Sequence, residues 1–285
     1  MLPSLPSDTF CNMDVLEAHQ LTHYVYMTKY RNKRPLVVRG IARKWPALTH
    51  WTKGWMTSAL GDKVVYAGDK DQRDPSIAKV SALPEGHRDK HVKHALRDFL
   101  RTPDGRYVFQ DLASLIPMTE ARRYINSSPY WHLPGQNDSG FEAETFLALG
   151  PNSTGLGFHN HGEAWNVNVF GARRWFVFSA NNRHLRRAFD AIVKEGKFVG
   201  GNNDPWKGAS TAQWLTEKYP HLKTPFRRSI YQCDQRPGDA VYVPEEWWHA
   251  VINHGDTVAV AFNGISNEPE PPDHKPFDLQ TASET

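Results

Sequence analysis

Hydrophobic and polar positions alternate differently in the first third of the chain than in the rest. Residues 14–32 place Val15, Leu16, Leu21, Tyr24, Val25 and Met27 at mixed helical spacing behind Asp14, a residue suited to capping, and predict a helix. Residues 35–40 form a short apolar run ended by Gly40 and predict a buried strand. A second helix is expected from Trp51 to Leu60, closing at Gly61, then a strand at 63–66. Residues 68–88 are polar and turn-rich, the pattern of a surface loop. Val92, Ala95, Leu96, Phe99 and Leu100 predict an amphipathic helix over 92–101.

From Tyr107 onward short β-branched and aromatic runs take over. Strands are expected at 107–109, 145–149, 165–170, 175–178, 229–233, 240–243, 250–252 and 258–262, with 165–170 and 175–178 joined as a hairpin around residues 171–174. A helical insertion, 181–228, carries Leu185, Phe189, Ile192 and Val193 on one face and a further helix over 211–219. Many short strands with turns between them predict an all-β core with flanking helices, a sandwich or barrel. No repeat or linker divides the chain. The expected organisation is an N-terminal helical and strand extension over 1–104 packed on the barrel, a core over 105–267, and a Pro-rich, charged, flexible tail over 268–285.

At 285 residues, with 39% hydrophobic and 23% charged positions, the chain can bury a core of its own. Its 34 Lys and Arg against 31 Asp and Glu leave a formal charge of +3 without a long basic run, which argues against a nucleic-acid partner. Two cysteines, Cys11 and Cys233, cannot build a disulfide framework or a cysteine zinc site, though one bridge stays open to them. No apolar stretch approaches a membrane span, and residues 1–6 lack the features of a signal peptide, so a soluble cytoplasmic or nuclear protein is expected. Three N-x-[ST] sequons, at Asn126, Asn137 and Asn152, point the other way, toward a secretory compartment.

The candidate chemistry lies in residues 155–166 and 244–249. His159, His161 and Glu163 fall within five positions beside Gly155 and Gly157, and His249 follows about ninety residues after His159 between two strand-like runs. In a strand, residues i and i+2 share a face, so His159 with His161, or His161 with Glu163, would present two donors to one ion, and His249 would supply a third. Two imidazoles and a carboxylate with open positions is the ligand set of non-haem Fe(II) oxygenases. Trp165, Trp175, Trp247 and Trp248 are expected as barrel core rather than substrate-stacking groups.

Those residues, together with Trp165-Asn166, the run 171–175, the run 237–239 and the run 243–253, resemble the jumonji-C (JmjC) branch of the cupin superfamily. The resemblance spans roughly residues 105–265, and residues 35–46 look like that branch's N-terminal extension. The contracted His-x-His-Gly segment and the run 214–220 are similar to the jumonji domain-containing protein 8 family, which implies placement in the endoplasmic reticulum lumen if a leader precedes this sequence. The resemblance implies a double-stranded β-helix (jelly roll), Fe(II), the co-substrate 2-oxoglutarate, and dioxygenase activity hydroxylating a protein or peptide side chain. Homodimers are also common among such relatives, and the helix bearing Trp214 and Tyr219 would suit a dimer surface.

By the same resemblance His159 and His249 match iron ligands. The intervening carboxylate position holds His161, with Glu163 two residues further on, so His159/Glu163/His249, His161/Glu163/His249 and His159/His161/His249 all remain open. No catalytic residue beyond the metal ligands is implied. For 2-oxoglutarate, Arg173 stands where relatives use Lys, Tyr107 where they use a Tyr hydroxyl, Asn166 and Asn263 at polar lining positions, and Ala261 where some carry Thr. A non-catalytic binding module and a three-His dioxygenase acting on a small molecule are the competing expectations.

Overall fold

The computed structural model describes residues 10–68, 91–102, 105–125, 145–179, 181, 211–221 and 227–263. Of the expected surface loop at 68–88 only Gly68 is described, as the end of a strand, and most of the insertion 181–228 and the tail fall outside these residues. Ten strands make up the core: β1 (Asp14–Glu17), β2 (Leu36–Arg39), β3 (Val64–Gly68), β4 (His91–Ala95), β5 (Tyr107–Asp111), β6 (Thr145–Gly150), β7 (Ala164–Phe178), β8 (Tyr231–Gln235), β9 (Ala240–Val243) and β10 (Trp248–Asn263). Neighbours run β1-β2-β9-β7-β10-β6-β5-β3-β4, with β8 pairing β7 off that path.

The two long strands fold this order into a jelly roll. The first half of β7 pairs with β9 and with the second half of β10, while its second half pairs with β8 and with the first half of β10. Residues 171–174 therefore form no hairpin. Gly171 bends one continuous strand at φ 74°, where an added Cβ would lie 2.1 Å from the Asp256 carbonyl oxygen, and register shifts between His254 and Ala259 bend β10 to match. Alternation along a strand cannot distinguish a bend from a reversal, because both keep the period of two.

Two of the expected helices begin as strands. Asp14–Glu17 pairs parallel with β2, and His91–Ala95 pairs antiparallel with β3, so sheet hydrogen bonds override local helical spacing. Helical turns follow each strand, at His23–Val25 with Tyr26–Tyr30, and at Leu96–Arg101. The helix Lys53–Ala59 forms as predicted, with the Thr52 hydroxyl accepting from the Trp55 amide as its cap. The N-terminal extension thus contributes four of the ten strands.

Side chains divide into an inner and an outer core. Val37, Tyr107, Ala148, Leu156, Trp175, Val177, Val241, Val251 and Ala259 fill the barrel interior. Leu36, Val38, Trp165, Val167, Ala240 and Tyr242, on the opposite faces of the same strands, pack under the helical turns of the extension. Burying each such aliphatic side chain contributes roughly 1.5–3 kcal/mol, so alternation along β2, β7 and β9 is held from both sides. Residues 10–12 lie along β8, where a Cys11–Cys233 disulfide joins positions 222 apart in sequence.

Candidate metal centre

Segment 153–159 is laid against the first half of β10 by backbone hydrogen bonds. The Asn253 amide donates to Thr154, Val251 to Leu156, and His159 and His249 exchange both of theirs. Gly155 allows this approach: at φ 154°, an added Cβ would lie 2.1 Å from the Val251 carbonyl oxygen. His159 is thereby set opposite His249, with ring centroids 4.1 Å apart. The Glu246 amide donates to the His161 carbonyl and Asn160 Nδ2 to Glu246 Oε2, which clips the 244–247 turn to the same segment.

His159, His161 and His249 can each present one ring nitrogen so that all three lie within 4.8 Å of one another. Every Nδ1 faces a backbone carbonyl: His159 that of Gly157 at 2.7 Å, His161 that of Gly162 at 2.7 Å, and His249 that of Trp247 at 2.9 Å. A carbonyl only accepts, so Nδ1 carries the hydrogen and Nε2 the lone pair, the tautomer a metal ligand requires. Burial pushes the His249 pKa well below the ordinary histidine value, and the neighbouring His159 and His161 push it further. A neutral, buried, pre-oriented imidazole is ready to bind a cation without first losing a proton.

Glu163 is absent from this cluster. Its buried carboxylate turns toward the extension, where Oε2 accepts from the Tyr26 hydroxyl at 2.9 Å and the Tyr242 hydroxyl at 3.0 Å, and Arg31 Nε stands 3.9 Å from Oε1. Burial, followed by the adjacent carboxylate, drives the Tyr242 pKa far up, and burial with the neighbouring Tyr242 and Glu163 does the same at Tyr26, so both hydroxyls keep their protons and donate. The two sequence-expected ligand sets containing Glu163 are not the ones assembled here. Residues 159–163 are not a strand, since only His159 makes a β-bridge and β7 begins at Ala164, so neither strand alternation nor the contracted spacing carries Glu163 to the cluster here.

A pocket opens beside the histidines, lined by Tyr107, Asn166, Arg173 and Asn263 and by apolar residues that include Leu156, Trp175, Val241 and Val251. Arg173, 1% exposed, is held on three sides: Nε donates to Asn253 Oδ1 at 3.1 Å, Nη1 to Asn166 Oδ1 at 3.2 Å, and Nη2 to the Tyr107 hydroxyl at 2.5 Å. Burial raises the Tyr107 pKa against the opposing pull of Arg173, so the phenol accepts from the guanidinium and keeps its own hydrogen to donate. Asn253 was not singled out from sequence, although a signal was present: His249, Val251 and Asn253 are successive members of one strand face. Asn253 also donates to Thr154 Oγ1 at 3.1 Å, which ties the Arg173 cradle to the segment that carries His159. Tyr26 and Arg31 could not have been found, since their partner is 137 and 132 positions away.

A barrel with three converging imidazoles at one end and a buried guanidinium behind them defines a cupin with a candidate metal centre. Residues 25–263 match the family described as the cupin-like domain, and the chain belongs to that family, in its JmjC-type form. The chain is 32% identical over 257 residues to the bifunctional arginine demethylase and lysyl-hydroxylase psr-1 of Caenorhabditis briggsae, covering 84% of this chain and 57% of that protein. It is 26% identical to JmjC domain-containing protein 8 of Homo sapiens, covering 85% and 80% respectively. Against lysine-specific demethylase JMJ21 of Arabidopsis thaliana, identity is 24% over 93% of this chain and 27% of the relative. The chain thus spans between about a quarter and just over half of several larger relatives. Among the described residues no helix is long and apolar enough to cross a membrane.

Proposed function

We propose that this protein is an Fe(II)- and 2-oxoglutarate-dependent oxygenase that hydroxylates a protein side chain, with His159, His161 and His249 as its metal ligands. The observation carrying this reading is the charge balance of the pocket. Three neutral imidazoles leave a divalent cation's charge uncompensated, Arg173 adds another positive charge, and no carboxylate is among the described lining residues. A small dicarboxylate that chelates the metal at one end and pairs with Arg173 at the other matches that arrangement.

Each side chain has a task in this reading. The Gly157, Gly162 and Trp247 carbonyls fix the three imidazoles in the ligating tautomer. Arg173, kept in place by Asn166 and Asn253, receives the far carboxylate, and the Tyr107 hydroxyl donates a second hydrogen bond to it. Val241, Val251, Leu156 and Trp175 exclude water, which strengthens both contacts. Fe(II) with 2-oxoglutarate would supply the oxidising chemistry, dioxygen being the oxidant: as 2-oxoglutarate loses CO2, one oxygen atom of O2 would end in the succinate carboxylate and the other in the hydroxyl formed at a substrate C–H bond. A protein substrate accords with the relatives named as demethylases and a lysyl-hydroxylase.

Anaerobic calorimetry should show 2-oxoglutarate binding only with Fe(II) present, and aerobic incubation should yield succinate. Iron binding without 2-oxoglutarate binding would overturn this reading. It would favour the second one, a three-His module or small-molecule dioxygenase, for which the turning away of Glu163 is the supporting observation.

A further inference from the structure

We infer that Asn152 is an N-glycosylation site and that the protein matures in an oxidising, secretory compartment. Two independent observations meet in this assignment. The first is the Cys11–Cys233 disulfide, which includes the only two cysteines of the chain and buries Cys233 completely. Such bridges persist in oxidising compartments and are rare where thiol reductants are abundant.

The second is the sequon itself. Asn152-Ser153-Thr154 lies in a turn between β6 and the His159 segment, with Asn152 exposed. Asn152 Oδ1 accepts from the Gly255 amide at 2.9 Å, and Nδ2 donates one hydrogen to Ser153 Oγ at 3.1 Å. A glycosidic bond replaces one hydrogen on Nδ2 and leaves Oδ1 untouched, so the Gly255 contact survives modification. Thr154 is buried, its hydroxyl donating to the Pro151 carbonyl at 2.7 Å and accepting from Asn253. The hydroxyl that an oligosaccharyl transferase must engage is thus occupied after folding, and transfer has to precede closure of this turn.

The location is compatible with an open catalytic pocket. Gly255 lies at the bend of β10, six residues or about 20 Å of strand from His249, and the strand returns from that bend to Asn263 at the pocket. A glycan on Asn152 therefore projects from the end of that half of the strand opposite His249. Of the three sequons, Asn126 and Asn137 lie outside the described residues.

The test uses full-length protein isolated from its native cells with thiols blocked during lysis. After peptide N-glycosidase F treatment in 18O-labelled water, the peptide containing residue 152 should carry labelled Asp, and an N152Q chain expressed in the same cells should run lighter by one glycan. Folded, unmodified protein should fail as an acceptor. An unlabelled, unmodified Asn152 would overturn the site even where Cys11 and Cys233 are found bridged. Both cysteines recovered as blocked thiols would overturn the compartment as well.

Discussion

His161 and Glu163 are two residues apart and serve different neighbourhoods. His161 joins His159 and His249 at the pocket, whereas Glu163, 1% exposed, is committed to Tyr26, Tyr242 and Arg31 between barrel and extension. Both environments are polar and enclosed, yet they satisfy their groups in opposite ways. Around Glu163, two protonated phenols and a guanidinium compensate the carboxylate within the protein. At the pocket, lone pairs converge without a negative charge, and the compensation must come from what binds. A buried charge already compensated within the protein is structural; a converging set that still needs charge is a binding site.

Metal affinity gives the largest separation of the two regions. His249→Ala and His159→Ala should each weaken Fe(II) or Mn(II) binding more than about 100-fold, beyond what removal of a supporting partner does, as read by competition with a chelator. Glu163→Gln should stay within about tenfold of wild type. If Glu163→Gln is the more damaging change, the three-His set is wrong and the carboxylate moves to the metal on binding.

Stability should show the reverse order. Glu163→Ala leaves two buried hydroxyls without their acceptor and Arg31 without its counter-charge, and denaturant unfolding should register a loss of about 3 kcal/mol. His161→Ala, at a partly buried position in the pocket, should cost under about 1 kcal/mol in the metal-free protein. Equal losses would erase the distinction between the two sites.

Cys11→Ser should cost about 2 kcal/mol by releasing residues 10–12 from β8 while leaving metal affinity unchanged, since neither the pocket nor the Glu163 cluster uses that segment. A change in metal affinity would show that β8 reaches the site through its pairing with β7.

The smallest effect concerns pH. His249 has a folded-state pKa below its unfolded value, so below about pH 6.5 the unfolded chain binds the additional proton and stability falls with pH. This contribution is fully present above pH 6.5 and declines by up to about 1.4 kcal/mol per pH unit on acidification. The metal-free wild type should show the slope and His249→Ala should lack that share of it. An identical slope in both proteins would mean that His249 is not held neutral by the fold.

The sequence by itself determined the strands from Tyr107 onward and the short list of residues from which the cluster is drawn. Val, Ile, Phe and Trp at period two can bury one face only as strands, and His159, His161, His249, Tyr107, Asn166 and Arg173 stand where local pattern and family resemblance point. Gly155 and Gly171 were also conspicuous, although close approach at one and a bend at the other became apparent only against Val251 and Asp256. Tertiary structure decided the rest. Helical spacing at 14–17 and 91–95 yielded to strand pairing, because ladder hydrogen bonds with β2 and β3 outweigh propensity differences of a few tenths of a kcal/mol per residue. The choice among three ligand sets likewise turned on Tyr26 and Arg31, more than a hundred residues from Glu163, since a carboxylate takes the partners that folding brings to it and sequence spacing carries no record of them.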